Sequence, residues 1–223
     1  MKEEIRKLFK KLGADVCGIA NIDRFGGAPA GFHPRDIYPE CQSVAVFGVA
    51  IPRGLYEAGP RVIYNRFSAI TKIELDRIAY NASLELERNY GGAAVPLPSD
   101  GPYEYWDAEK LEGRGLISMR HAAALAGLGA FGKSALLLNG KYGNTLNFGA
   151  VLLELDLPSD DDAESICLDG CRRCLESCPV GALDGTGANQ KLCRPNTYFE
   201  NARGFEITNC NSCRAVCPMR FGI

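Results

Sequence analysis

Eight of the chain's ten cysteines fall between Cys167 and Cys217, and their spacing is that of a thiolate ligand set. Cys171-x2-Cys174-x3-Cys178-Pro179 recurs 39 residues on as Cys210-x2-Cys213-x3-Cys217-Pro218. In such runs, closely spaced thiolates hold successive corners of one 4Fe–4S cubane, and the cysteine before the proline reaches a second cubane. Eight thiolates are the number two cubanes need. The first repeat is completed by Cys167, one residue farther out than the usual spacing, with Gly170 in the gap to absorb the extra turn. In the second repeat the corresponding position is Ile207, which cannot bind iron, so Cys193 is expected to fill the vacancy. Crossing the ligands gives Cys167, Cys171, Cys174 and Cys217 for one cluster and Cys178, Cys193, Cys210 and Cys213 for the other.

Two four-cysteine zinc sites are the alternative, because C-x2-C pairs also suit tetrahedral zinc. Zinc has no need of a Cys-Pro after each triplet or of a stray fourth cysteine, and the run is that of the bacterial ferredoxins. Cys17, inside an apolar stretch, and Cys41 read as inert thiols rather than ligands. Disulfides are not expected. The chain opens with an amphipathic helix instead of a signal peptide, which points to a cytoplasmic setting where clustered cysteines more often bind metal. No run reaches the ~18 apolar residues of a membrane span. With 46% hydrophobic residues and a net charge of −2 in 223 residues, the composition is that of a soluble globular protein. It lacks the basic excess of an electrostatic nucleic-acid binder, so nucleic acid is not expected as a partner.

The elements that must position the cysteines alternate between helix and strand. Ile5, Leu8, Phe9 and Leu12 share a helical face that Gly13 ends. Strands are expected at Ala14–Ala20 and Ser43–Ile51, and a long helix at Arg61–Tyr90, closed by Gly91-Gly92. A short strand, Ala93–Leu97, leads to a loop carrying Tyr103, Tyr105 and Trp106, and then to a helix at Ser118–Leu125. Ser134–Leu138 and Thr145–Leu157 read as a hairpin about a Gly140–Asn144 turn. Pro158–Ser165 reads as an acidic linker. It divides an α/β (α+β) domain, residues 1–160, from a small cluster domain, residues 161–223.

Gly127-Leu-Gly129-Ala-Phe-Gly132 matches a dinucleotide fingerprint, and the same stretch through Lys133-Ser134 matches a phosphate-binding loop. Both motifs work only between a preceding strand and a following helix. Here a helix precedes and a strand follows, and too few residues remain before Cys167 to build a doubly wound sheet. An ATP-dependent redox activator built on Lys133 and Ser134 is therefore the minor alternative, and a packing turn the simpler reading.

The run Ala126 to Lys133, with Leu136-Leu137-Leu138-Asn139 and Lys141-Tyr142-Gly143 after it, resembles the middle of the epoxyqueuosine reductases. Gly18-Ile19-Ala20 and the final cysteine layout, isolated Cys193 included, resemble them too. The resemblance covers most of the chain. It implies a nitroreductase-like, cobalamin-binding first domain related to that of the reductive dehalogenases, then a two-cluster ferredoxin-like domain. It also implies that the clusters feed electrons to a corrinoid without a lower histidine ligand; neither His33 nor His121 has the surroundings of one. Gly127, Gly129, Gly132, Lys133 and Tyr142 are the cofactor-binding candidates it suggests. The family's proton-donating aspartate falls near Gly113, where this chain has no acid in register and Glu112 is the nearest, so no catalytic residue is assigned. The resemblance implies a helical tRNA-holding extension as well, whereas this sequence ends six residues after Cys217, which suggests a shortened relative with another substrate.

Two functions are thus expected. One is an oxidoreductase fed by its own clusters, with Tyr103 and Tyr105 as candidate proton donors. The other is an electron-transfer module that serves a partner enzyme and has no chemistry of its own. Either takes electrons from a donor such as a ferredoxin or flavodoxin, and flavin is the other cofactor a nitroreductase-like fold suggests.

Overall fold

The computed structural model describes residues 1–59, 61–101, 103–208 and 210–223. Helix α1 (Lys2–Leu12) buries Ile5 and Phe9 and stops at Gly13, whose φ of 112° is one that side-chain-bearing residues rarely adopt. Strand β1 (Val16–Asn21), the short α2 (Pro34–Ile37), β2 (Ser43–Ala50), the short α3 (Gly54–Glu57) and the long α4 (Arg61–Tyr90) follow. Then come β3 (Ala94–Leu97), β4 (Tyr105–Asp107), β5 (Glu112–Arg114), α5 (Met119–Leu125), β6 (Ala130–Phe131), β7 (Leu137–Leu138) and β8 (Leu146–Leu153). The cysteine-rich end holds α6 (Arg173–Glu176), α7 (Gln190–Thr197), β9 (Tyr198–Glu200), β10 (Glu206–Thr208) and α8 (Ser212–Ala215).

The main sheet has the order β1-β2-β8-β3 and is antiparallel at every pairing. β8, made last, inserts between β2 and β3, in register from Ser43↔Leu153 to Ala50↔Leu146. Both faces of β2 and β8 are covered. Ala45, Phe47, Val151 and Leu153 meet α1 and α4 through Ile5, Phe9, Leu75 and Ile78. Val44, Val46, Ala150 and Leu152 meet α5 through Ala122 and Ala123. Burial on both sides is why these strands read as continuous apolar runs rather than alternating ones. Phe9 stacks on Phe47 at 4.8 Å, and truncating it to alanine should cost about 3–5 kcal/mol.

Helix α4 occupies the span its apolar spacing predicts, and α1, β1, β2, β3 and α5 lie within two residues of theirs. The hairpin expected from Ser134 to Leu157 does not form. Leu137 and Leu138 pair backwards with Phe131 and Ala130, and β8 pairs only with β2 and β3. The cause is local. Asn139 and Gly143 exchange backbone hydrogen bonds of 2.8 and 2.7 Å, and the Asn139 side chain accepts from Lys141 and Tyr142 amides. The chain therefore turns away before a second strand can align beside β7.

The acidic stretch after Leu157 is fastened to the edge of β1. The Asp160 amide donates to Ile19 O, the Ile19 amide to Asp160 Oδ2, and the Asn21 amide to Ser159 Oγ, all within 2.8–2.9 Å. Asp160 also pairs with Lys2 (2.6 Å) and with Arg6. Burial opposes ionisation of Asp160, but hydrogen bonds from Lys2, Arg6 and the Ile19 amide outweigh it and hold the carboxyl below its ordinary value. The lowered pKa means that this stabilisation is present above the unfolded value of about 3.9 and is lost as pH falls through the folded one. Asp160→Asn is expected to cost about 1–3 kcal/mol at pH 7 and to flatten the acid limb of stability, measured by urea unfolding from pH 7 to 3.

Candidate cluster sites and the adjoining cleft

Cys167, Cys171, Cys174 and Cys217 line one cavity together with Gly132, Lys133, Leu138 and Met219. The first three lie in the loop that enters α6 and at α6 itself, and Cys217 follows α8 from the other repeat. α6 and α8 pack on each other, which brings the two repeats face to face. Burial raises the pKa of Cys174 and of Cys217, and the neighbouring thiols of the set add to it. Such mutual destabilisation of thiolates is relieved when cationic iron sits among them.

Cys193 from α7 and Cys210 lie within electrostatic reach of Cys213, whose pKa is raised chiefly by burial and lowered in part by Arg214. Cys178 stands at the Pro179 turn, its Sγ accepting the Ala182 amide at 3.2 Å. Ile207 lies in β10, paired with Phe199. Among the described residues, no three His, Cys, Asp or Glu side chains close tightly enough to hold one metal ion. Cys17 is half-buried, and desolvation pushes its thiol up to about 12. The Cys41 thiol is likewise raised by burial, so neither is a ready thiolate.

The glycine run serves packing and the thiol cavity. It lies between α5 and β6, the reverse of a phosphate loop's setting. A Cβ on Gly127 would lie 2.2 Å from Asp161 O, and one on Gly129 would lie 2.5 Å from Leu138 O. Gly132 backs the cavity, where a Cβ would lie 3.7 Å from Cys167 Sγ, and Lys133 Nζ donates to Leu168 O at 2.9 Å. The Tyr142 hydroxyl donates to Asp15 at 3.4 Å. Of these five residues, Gly132 and Lys133 touch the Cys167–Leu168 loop, while Gly127, Gly129 and Tyr142 pack on Asp161, Leu138 and Asp15. His33 caps α2 by accepting the Arg35 amide at 3.1 Å. His121 is 2.7 Å from Ser118 Oγ, and burial and Arg120 lower its pKa.

Beyond α7 the structure gathers a polar constellation that the sequence did not mark. Tyr103 and Trp106 stack at 6.3 Å, and the Arg194 guanidinium sits 5.0 and 5.1 Å from their ring centres. Arg194 donates to Gln190 Oε1 (2.8 and 3.0 Å), and the Gln190 amide grips the backbone of Gly113 at 3.1 and 3.3 Å. Lys72 of α4 pairs with Asp100. Burial works against the Lys72 ammonium, but Asp100 outweighs it and raises the pKa. Tyr198, the first residue of β9, lies within reach of Lys72, Tyr103 and Arg194, and burial pushes its phenol up. A side chain at Gly113 has no room, because its Cβ would fall 2.8 Å from the Tyr103 ring and 2.9 Å from Arg194 Nη2. Tyr105 stands apart, its hydroxyl 3.5 Å from Asp107 and Arg114 over its ring. Lys72 of α4, Asp100 and the Gln190–Tyr198 stretch of α7 and β9 come from three separate segments, so no local spacing could have announced their meeting.

The architecture is an antiparallel α+β core joined to a cysteine-repeat segment, four of whose thiols line one cavity, with a polar grouping about Arg194 nearby. Along its full length in sequence, the chain is similar to epoxyqueuosine reductases. It is 32% identical over 254 residues to the epoxyqueuosine reductase of Staphylococcus aureus, covering all of this chain and 65% of that protein. No protein-family model matches the chain. A crystal structure of an epoxyqueuosine reductase with a tRNA-Tyr stem loop superposes with a TM-score of 0.67 at 20% identity, over 98% of this chain and 65% of that one. A reductive dehalogenase structure, described with a mechanism for B12-dependent dehalogenation, gives a TM-score of 0.73 at 19% identity, over 98% of this chain and 31% of that one. The chain thus spans about two thirds of the epoxyqueuosine reductases and a third of the dehalogenase. No helix among the described residues is long and apolar enough to cross a membrane.

Proposed function

We propose that this chain is an iron–sulfur oxidoreductase, in which residues 161–223 hold two 4Fe–4S clusters and pass electrons to a corrinoid or small-molecule site in residues 1–160. The observation that carries this reading is the single cavity shared by Cys167, Cys171, Cys174 and Cys217, which joins the two repeats in the crossed manner of two-cluster proteins. Cys178, Cys193, Cys210 and Cys213 would hold the second cluster. The clusters, when bound, would supply single electrons at potentials the protein sets. The chain's own residues then bind, orient and deliver protons.

In this reading the polar grouping beside α7 is the acceptor site. It supplies a cation, Arg194, over two stacked aromatics, and a lysine paired with Asp100 next to Tyr198. The resemblance puts a proton-donating aspartate near Gly113. Here the Tyr103 ring fills the space a side chain at 113 would need, which supports Tyr103 as the donor in its place. Tyr103→Phe is expected to lower turnover by about 10²–10⁴-fold while leaving the cluster spectrum unchanged.

The corrinoid part of the reading rests on the relatives and on the cleft. Its test is anaerobic titration of the reconstituted protein with cobalamin. A shift to the base-off spectrum supports it, and no shift at saturating corrinoid rejects it. The lack of an acid at Gly113 favours the second reading, a relay serving a partner enzyme. Rapid oxidation of the clusters by such a partner, without turnover of small substrates, would establish that reading. The electron donor in either case is of the ferredoxin or flavodoxin type. The tRNA stem loop in the related structure keeps nucleic acid among the candidate partners, against the expectation from net charge, and a binding assay with such a stem loop decides it. Lys133 is committed to the Leu168 carbonyl, so Lys133→Ala should loosen the Cys167 loop without altering affinity for ATP.

A further inference from the structure

Helix α4 buries Leu75, Ile78, Ala79, Ala82 and Leu86 against the sheet, so its opposite face should carry polar residues. It carries Val62, Arg66, Ala69, Ile73, Asp76 and Tyr80 instead, all exposed. At 3.6 residues per turn these six fall in one stripe, within ~40° of its midline, over about 27 Å of helix. Val62, Ile73 and Tyr80 are each more than half open to solvent, at 58, 64 and 60%. An aligned apolar row of this kind marks an interaction surface, unlike single apolar residues scattered over a surface.

The charged residues of this span divide in two. Lys72 pairs with Asp100, and Arg77 with Glu74, at the flanks of the stripe. Arg66 and Asp76, inside it, join no ion pair among the described residues. Asp76 accepts the Ser99 amide at 2.8 Å through Oδ1, which leaves Oδ2 for another donor. The order of the six residues is symmetric about Thr71. Ala69 and Ile73 stand two residues to either side of it, Arg66 and Asp76 five, and Val62 and Tyr80 nine. A copy of the stripe laid antiparallel on itself therefore sets apolar residue on apolar residue, and Arg66 on Asp76 twice. Laid parallel and in register, it would set arginine on arginine and aspartate on aspartate. Self-complementarity in which residue i meets j and j meets i is what a two-fold interface requires.

We propose that the outer face of α4 is the interface of a two-fold homodimer, occupied by a second copy of this chain, with the symmetry axis crossing the helix at the level of Thr71. Val62, Ala69 and Asp76 recur at seven-residue intervals, as do Arg66, Ile73 and Tyr80, which is the repeat of a packed helix pair. Antiparallel helices crossing at a shallow angle keep such a row in contact along its length. Ala69 is small enough to let the two backbones approach near the axis, where the partner's Ile73 packs on it. One helix pair of this length is a small interface, so the dimer is micromolar rather than nanomolar. The stripe belongs to the sheet-bearing part of the chain, and the proposal stands apart from the cluster reading.

The test is sedimentation equilibrium of the anaerobically reconstituted full chain from about 1 to about 500 μM, where a monomer–dimer equilibrium is expected. Arg66→Glu should set like charges against each other twice per dimer and weaken it at least about tenfold, and so should Asp76→Lys. Mixed one to one, those two variants should form a heterodimer, because opposite charges then meet at both places. Ile73→Asp, which puts a carboxylate into the apolar part of the row, should weaken the dimer by a similar factor, and it decides the matter if a charge variant fails to fold. Helix content by circular dichroism and cluster absorbance should be unchanged in all three. The proposal is overturned if the chain stays monomeric throughout the range, as it would with an occupant of another kind on the row. It is also overturned if Arg66→Glu and Ile73→Asp leave a dimer unweakened, or if the two charge variants, each folded, fail to pair with each other.

Discussion

Cys217→Ser is expected to remove the same cluster as Cys171→Ser and to spare the one that depends on Cys213. Neighbourhood in sequence predicts the opposite, since Cys217 lies four residues after Cys213 and 46 after Cys171. The crossed assignment proposed here rests on Cys217 lining the cavity of Cys167, Cys171 and Cys174. Iron content should fall from about eight to about four atoms per chain in either variant, the load of one cubane. The paramagnetic signals that remain should be identical in the two. If Cys217→Ser instead leaves the signal that Cys213→Ser leaves, each repeat closes on itself and the crossed assignment is wrong. Serine is nearly isosteric with cysteine, so loss of iron in these variants reports a lost ligand rather than a lost fold.

Stripping the iron should unfold the cysteine segment and leave the sheet standing. Among the described residues beyond Leu157, Ala182 is the only buried hydrophobic one, at 4% exposure. A segment of this kind cannot offset the ordering of its backbone by hydrophobic burial, so ligand–iron bonds must supply the stability, as they do in small metal-dependent domains. By contrast, Val44, Val46, Ala150 and Leu152 are fully enclosed whether or not iron is present. After iron removal, hydrogen exchange should show residues 165–200 losing at least about 3 kcal/mol of protection, roughly a hundredfold, while β2 and β8 keep theirs. Equal loss in both regions would mean that the core and the cysteine segment fold as one cooperative unit.

The parts of this molecule legible in the sequence are those whose cause is local or periodic. α1 and α4 are written in helical spacing and closed by glycines, and β2 is an apolar run fenced by a proline. The cysteine repeat is legible as spacing along one segment, and its assignment to iron is the proposal made above. The failures share a different cause. Leu137–Leu138 has the composition of a strand, but a turn stabilised by the Asn139 side chain chose its partner. Ser159 and Asp160 have the composition of a linker, and only the position of Ile19, some 140 residues earlier, makes them an edge of the sheet. The Lys72–Tyr198–Arg194 grouping depends on the packing of α4, α7 and β9, which no spacing along one segment encodes.

The insertion of β8 between β2 and β3 has a consequence for how the molecule is made. During synthesis β3 waits without its neighbour until residues 146–153 have left the ribosome, and the clasp of Asp160 on Lys2 and Arg6 closes a few residues later. All eight clustered cysteines emerge after that point, beginning with Cys167. The order of translation therefore delivers a finished scaffold first and its thiols second. On the two-cluster proposal, iron would be loaded onto a template that already exists, which would spare the sheet from waiting on the supply of metal.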